Sequence, residues 1–209
     1  MPRRLVILGA LAAATLMALA VSVGVVLRGG DTARAALPLR ADPYPAPIAA
    51  PDTRGRGADG RPLQVPAPGR PAVVTFLFAD CPTVCPLVAT QVAAALDRVP
   101  PGERDDVDVV AISVDPRGDT PANVRRFLAT HRLTGRMRYL VGTRAELEPV
   151  WRAWGILAQP PGGDPSSSLH TARVVLVDRA GRQVADYPGG VPVPPDDLAA
   201  DIGTLVREG

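Results

Sequence analysis

The sequence predicts an α/β domain with a mixed central sheet flanked by helices. From residue 72 onward, short apolar segments rich in β-branched residues alternate with amphipathic helical segments, and this alternation is typical of layered α/β proteins. The last two strand-like segments are joined by a tight turn at Asp178–Gly181, so they form a hairpin that makes the sheet mixed. A hydrophobic content of 46% excludes wholesale disorder.

The first predicted elements surround the two cysteines of the chain. A turn at Asp59–Gly60 predicts a small hairpin at the start of the domain. Residues 72–78 form a nearly continuous apolar run that suits a strand buried on both faces. Apolar side chains at helical spacing predict a helix over 84–99, ended by the Pro-Pro-Gly sequence at 100–102. Residues 107–114 predict a second buried strand.

The second half of the domain continues the alternation. Thr120 and Pro121 carry the signals of a helix N-cap and first turn. The further predicted elements are a strand at 137–141, a helix at 143–154 with a capping box, strands at 171–177 and 183–187, and a helix at 195–206. This order is that of a thioredoxin-like domain with one additional helix–strand insertion.

An uncharged segment, Leu5–Leu27, precedes the predicted domain. Its 23 residues would span about 34 Å as a helix, enough for the roughly 30 Å apolar core of a bilayer. Arg3 and Arg4 before it place the N-terminus in the cytoplasm and the domain on the extracytoplasmic face. The alternative is a cleaved signal peptide ending at Ala33-Arg34-Ala35, but the length of the apolar segment favours an uncleaved single-pass anchor.

We therefore expect three regions in the chain. Residues 1–28 form a cytoplasmic N-terminus and transmembrane anchor (or signal peptide), 29–49 a Pro- and Ala-rich tether, and 50–209 the thioredoxin-like domain. Five prolines, Pro38, Pro43, Pro45, Pro47 and Pro51, cannot lie inside helices or central strands. The formal net charge of +2 argues against a nucleic-acid partner.

The two cysteines lie at the junction of a predicted strand and a predicted helix. Cys81 and Cys85 are four residues apart, so on a first helical turn they would share one face, about 5–6 Å apart at Cβ. The unpaired N–H groups and dipole of a helix N-terminus stabilise thiolates, which favours disulfide chemistry and metal binding. A structural disulfide is the alternative, but so short a loop gives it little entropic stabilisation.

The candidate third ligand is a histidine. His170 comes just before the strand at 171–177, and this strand end can approach the cysteine junction. His131 instead ends the helix that starts at Pro121, where a histidine commonly complements the helix C-terminus. Two thiolates and one imidazole favour one copper ion, because structural zinc sites have four protein ligands.

The sequence resembles the Sco/SenC copper proteins, which assist assembly of cytochrome c oxidase. The resemblance covers roughly residues 50–209 and rests on Gly69-Arg70-Pro71, Cys81–Pro86, Ser113–Pro121, Leu133-Thr134-Gly135, and His170 with the strand that ends in Asp178–Gly181. It implies a membrane-anchored, extracytoplasmic thioredoxin-like domain. The copper ligands that it implies are Cys81, Cys85 and His170.

This sequence departs from the family pattern beside these ligands. Family members commonly carry Asp between the two cysteines, where this chain has Thr83, and often Asp before the histidine, where it has Leu169. The second change removes a partner that could orient the histidine. Asp115 and Asp119 match the family, and turn or cap chemistry accounts for both.

The resemblance implies a copper metallochaperone rather than an enzyme. It would hand copper to the binuclear copper site of cytochrome c oxidase subunit II, reduce the disulfide at that site, or do both. Other copper chaperones or thiol–disulfide reductases are further expected partners. Two alternatives stay open: a membrane-anchored thiol–disulfide reductase that uses Cys81 and Cys85 as its redox-active pair, and a copper or redox sensor.

Overall fold

The computed structural model describes residues 37–156 and 172–208, and this part of the chain forms eight strands and five helices. The strands are β1 (Asp42–Ala49), β2 (Thr53–Gly57), β3 (Pro62–Val65), β4 (Ala72–Leu77), β5 (Asp108–Ser113), β6 (Arg138–Val141), β7 (Val174–Val177) and β8 (Arg182–Tyr187). The helices are α1 (Val84–Arg98), α2 (Pro101–Asp106), α3 (Pro121–Thr130), α4 (Arg144–Ala153) and α5 (Pro195–Glu208).

All eight strands belong to one mixed sheet of order β1-β8-β7-β4-β5-β6-β2-β3. β4 and β5 run parallel, with Leu77 opposite Ser113 at their C-terminal ends, and β5 runs parallel to β6. β7 runs antiparallel to β4 on its other side, with Thr75 opposite Val174. The C-terminal ends of β4 and β5 and the start of β7 therefore meet at one end of the sheet, which we call the site end.

Side chains of β4 alternate between two hydrophobic cores. Val73 and Leu77 belong to a core that includes side chains of α1, α3 and α5, whereas Val74 and Phe76 belong to a second core with side chains of β3 and α4. All six residues of β4 are buried, as expected for a strand covered on both faces. Helices therefore cover both faces of the sheet, and the predicted α/β class is confirmed.

The local signals for helix starts are confirmed. The Thr120 side chain accepts a hydrogen bond from the Asn123 N–H at the start of α3. Thr143 and Glu146 form the predicted capping box of α4. The hairpin predicted around Asp59–Gly60 is formed by β2 and β3.

Two elements were not predicted. Strand β1 lies within residues 29–49, which were predicted to be tether, and it pairs antiparallel with β8 at the edge of the sheet. An edge strand tolerates prolines because part of its backbone needs no partner, and the β1–β8 register is interrupted between Pro43 and Ile48. Helix α2 follows α1 directly, because Pro100 keeps Val99 extended and ends α1, whereas Pro101 suits the first turn of α2.

The predicted membrane anchor, Leu5–Leu27, and the cleavage pattern at 33–35 lie outside the described residues. Among residues 37–156 and 172–208, no helix has both the length and the apolar character needed to cross a membrane.

A buried carboxylate joins the N-terminal segment of the domain to α5. Asp201 is fully buried. Its Oδ1 accepts the Arg40 N–H at 2.6 Å, and its Oδ2 accepts the Ala41 N–H at 3.0 Å and the Tyr187 hydroxyl at 2.6 Å. These donors replace the water that a buried carboxylate loses. The segment before β1 is thus fixed to the last helix.

We expect Asp201→Ala to lower the free energy of unfolding by about 2–4 kcal/mol, because three donors lose a charged acceptor. Urea unfolding measures the loss. The matched control on the same helix is Asp196→Ala, which removes an exposed ion pair with Arg98 and should cost less than about 1 kcal/mol. Equal losses in the two variants would contradict the importance of the buried network.

Candidate metal and thiol site

Cys81 and Cys85 lie at the site end of the sheet, where β4 leads into α1. The chain leaves β4 at Leu77, and α1 begins at Val84 with Thr83 as its N-cap residue. Both cysteines are free, and only 5% of Cys81 and 1% of Cys85 is exposed. Pro82 and Thr83 between them are exposed, so the sulfur pair lies directly beneath the surface.

The two cysteines do not share a helical turn. Cys85 belongs to the first turn of α1, whereas Cys81 precedes the N-cap residue Thr83, whose side chain makes no capping hydrogen bond. The Cys85 N–H instead points to Cys81 Sγ, with an N–Sγ distance of 3.4 Å. The sulfur of Cys81 therefore takes the place of a capping oxygen at the helix N-terminus. The expectation of one shared helical face is replaced by this end-on arrangement.

This arrangement separates the pKa values of the two thiols. The Cys85 thiol donates a hydrogen bond to Cys81 Sγ, and the backbone N–H groups of Cys85, Thr83 and Val84 add to it, so the pKa of Cys81 falls from 9.0 to about 5 despite its burial. The pKa of Cys85 is raised, first by the same hydrogen bond and then by burial, with a smaller contribution from the charge of Asp119. Near neutral pH the pair thus holds one thiolate and one proton.

A buried carboxylate supports the segment that precedes Cys81. Asp119 is only 4% exposed. It accepts the Ala79 N–H at 2.6 Å, the Ser113 hydroxyl at 2.6 Å and the Tyr139 hydroxyl at 3.1 Å. Burial raises the pKa of Asp119 to about 6, although all three hydrogen bonds oppose this rise. Turn or cap chemistry does not describe this residue, because its carboxylate points into the protein and connects three segments.

The neighbouring Asp80 makes its contacts at the surface. It accepts a hydrogen bond from the Asn123 side-chain amide at 3.0 Å and pairs with Arg126 at 3.2 Å. Both partners belong to α3. The loop that carries Cys81 is therefore connected to the β5–α3 region from inside through Asp119 and from outside through Asp80.

Only one of the two histidines lies in the part of the chain that the structure describes. His131 is the C-cap residue of α3, as predicted. The centroid of its ring lies 4.6 Å from that of Phe127, and its Nδ1 lies 3.3 Å from Thr90 Oγ1. His170, with its neighbour Leu169, lies outside the described residues. Among the residues that are described, no group of three or more His, Cys, Asp or Glu side chains could hold a metal ion. Two of the three predicted ligands, both soft sulfur donors, are thus brought together here.

Comparisons with known proteins identify the relatives of this chain. A family model described as SCO1/SenC matches residues 58–207. The SCO1 protein homolog of Bacillus subtilis is 28% identical over 130 residues, which cover 61% of this chain and 66% of that relative. The chain spans between about a third and two thirds of the length of the curated relatives that it matches.

Solved structures share the architecture. BsSco, a member of the Sco family of cytochrome c oxidase assembly proteins in which a disulfide switch was identified, is 24% identical with a TM-score of 0.66. The match covers 80% of this chain and 99% of BsSco. Copper-bound ScoI of Bradyrhizobium japonicum is 27% identical with a TM-score of 0.59, over 76% of this chain and 99% of that one. The predicted thioredoxin-like arrangement of sheet and helices agrees with these structures.

The separation of the thiol pKa values predicts a two-stage titration. Followed by the ultraviolet absorbance of thiolates, one thiolate should form with a midpoint near pH 5, while the second thiol stays protonated beyond the ordinary value of 9.0. Cys81→Ser should abolish the transition at low pH. Two thiolates that appear together near pH 9 in the wild type would contradict the end-on arrangement.

Proposed function

Because this chain belongs to the SCO1/SenC family, we propose that it is an extracytoplasmic copper metallochaperone. Its client would be the binuclear copper site of cytochrome c oxidase subunit II. The observation that carries the proposal is the free, buried thiol pair at the β4–α1 junction, since soft thiolates select Cu(I). The copper in B. japonicum ScoI and the oxidase assembly role of the BsSco family support the same function.

In this proposal Cys81, Cys85 and His170 hold one copper ion as cargo. The register of β7 against β4 supports the third ligand. Val174 lies opposite Thr75, so the chain enters β7 at the same end of the sheet as the cysteine junction.

The thiol pKa values indicate how many protons the two cysteines would release when copper binds. Cys81 offers a thiolate at neutral pH, whereas Cys85 still carries its proton. Binding of copper by both sulfurs therefore releases about one proton from the pair. Transfer to a client reverses this step, because the departing ion leaves two sulfurs that again share a proton.

We also propose that Leu5–Leu27 anchors the chain in the cell membrane with the domain on the extracytoplasmic face. The uncharged length of this segment and the preceding Arg3 and Arg4 support this orientation. An anchored domain is confined near the membrane, which raises its local concentration around a membrane-bound oxidase subunit.

A thiol–disulfide reductase is the second candidate, and the unequal thiols favour it. The low pKa of Cys81 provides a nucleophilic thiolate at neutral pH. Attack on a partner disulfide forms a mixed disulfide; Cys85 then displaces the partner thiol, leaving a Cys81–Cys85 disulfide and a reduced partner. A further reductase, acting as the electron donor, restores the two thiols.

The copper proposal predicts redox-gated binding. We expect the reduced domain to bind one copper ion and the disulfide form to bind almost none, because the disulfide removes both thiolates. Anaerobic Cu(I) titration of the two forms measures the difference. A Cys81→Ser/Cys85→Ser variant serves as the control for adventitious binding. Equal binding by the reduced and oxidised domains would exclude the cysteines as ligands.

His170 separates the two candidate functions. We expect His170→Ala to keep some Cu(I), which two thiolates can hold, but to lose most stable Cu(II) binding, because Cu(II) prefers additional nitrogen ligands. It should fail to transfer copper to an apo subunit II domain and yet still form the Cys81–Cys85 disulfide. His131→Ala is the matched control and should transfer copper normally. Transfer by His170→Ala at the wild-type level would remove His170 from the ligand set and favour the reductase.

A further inference from the structure

The geometry points to Asp119 as a positioning residue for the cysteine pair. We propose that its buried carboxylate fixes the sulfurs of Cys81 and Cys85 by holding residues 78–80 against Ser113 at the end of β5 and Tyr139 in β6. The inference deepens the proposed function. Only its prediction for copper affinity rests on the proposed function. Disulfide formation by the same two cysteines does not involve copper and tests the inference separately.

The carboxylate connects three separate segments. One oxygen accepts the Ala79 N–H from the loop before Cys81, and the other accepts the hydroxyls of Ser113 at the end of β5 and Tyr139 in β6. Ser113 and Tyr139 are buried as completely as Asp119. Hydrogen bonds to a charged acceptor in such surroundings are stronger than neutral ones. The loop is therefore connected directly to β5 and β6.

The residue next to Ala79 contacts both cysteines. The Phe78 carbonyl accepts the Cys81 N–H at 3.3 Å, and the Phe78 N–H is within reach of the Cys85 sulfur. Asp119 binds the adjoining amide in the same loop. A shift of this loop would thus change the position of Cys81 and the environment of Cys85 together.

The position of Asp119 is itself fixed from the α3 side. Its own N–H donates to the Asp115 carbonyl at 3.0 Å, and the next residue, Thr120, caps α3. By contrast, the outer connection through Asp80 consists of an exposed hydrogen bond from Asn123 and an ion pair with Arg126 between side chains that are 52% and 64% exposed, and such exposed contacts contribute little. Asp119 is therefore the connection that can determine the loop geometry.

The test measures the disulfide equilibrium in glutathione buffers without copper. The two cysteine thiols give two electrons and two protons to glutathione disulfide, which becomes two glutathione thiols. Asp119→Ala frees the loop and lowers the effective concentration of one thiol near the other. We expect the equilibrium constant for disulfide formation to fall at least about tenfold, equivalent to about 30 mV.

Asp119→Asn is the conservative variant. Its amide oxygen can still accept the Ala79 N–H, so it should stay within about threefold of the wild-type equilibrium constant. The affinity of the reduced domain for Cu(I), measured by competition with a chelator, should follow the same order, with Asp119→Ala the weakest. If Asp119→Asn loses as much as Asp119→Ala, or if neither differs from the wild type, the positioning role is wrong.

Asp201→Ala is the matched structural control. Asp201 also accepts two backbone N–H groups and a tyrosine hydroxyl while fully buried, but it holds residues 40–41 rather than the cysteine loop. It should destabilise the fold and leave the glutathione equilibrium unchanged. An equal shift in Asp201→Ala would mean that general destabilisation, not positioning, explains the result.

A further variant covers the case in which Asp119→Ala does not fold. Ser113→Ala combined with Tyr139→Phe keeps the carboxylate and removes both of its hydroxyl partners on the strands. It should shift the equilibrium in the same direction, and an unchanged equilibrium would overturn the proposal. Because this assay contains no copper, failure of the wild type to transfer copper would contradict the proposed function and leave the role of Asp119 standing.

Discussion

Parallel pairing of β4 with β5, with both strands buried on both faces, is the constraint on which the site depends. The pairing runs from Ala72 opposite Asp108 to Leu77 opposite Ser113. A slip of one residue would exchange the two cores, because Val73 and Leu77 face one core while Val74 and Phe76 face the other. The register that the cores enforce therefore also sets where the chain leaves β4 and how it reaches the cysteines.

That exit point explains why the two cysteines differ chemically. Cys81 falls before the helix and Cys85 inside it, so one sulfur receives the N–H groups at the N-terminus of α1 and the other supplies a proton. Two thiolates side by side under the surface would repel each other, with little water to screen them. The reduced pair avoids this by keeping one proton. Disulfide formation, or the proposed binding of copper, would let that proton leave without placing two unpaired negative charges together.

Much of this fold could be predicted because its signals are local. The capping box at Thr143 and the N-cap at Thr120 are read from neighbouring residues, and an apolar run such as 72–78 indicates a strand buried on both faces. Strand β1 could not be predicted in this way. Its prolines are typical of an extended linker, and only pairing with β8 makes it part of the sheet.

The candidate site, like the fold, could be predicted only where its signals are local in sequence. The spacing of Cys81 and Cys85 indicated paired thiols at a helix start, but not which sulfur would become the thiolate, since that depends on a helix boundary shifted by only a few residues. Asp119 carries a local signal for a turn or cap. Its contact with Ala79 spans 40 residues of sequence, so only the tertiary structure shows that it supports the cysteine loop.

The departure at Thr83 fits this account of the thiol pair. An Asp at the N-cap position would accept the free N–H groups of the first helical turn and would place a negative charge beside the Cys81 thiolate. Thr83 is exposed and makes no capping hydrogen bond, so those N–H groups are left to the sulfur. An Asp at this position would therefore stabilise the Cys81 thiolate less, by competition for the same donors and by repulsion. Thr83 thus favours the thiolate form of Cys81, which both proposed functions of the pair would require.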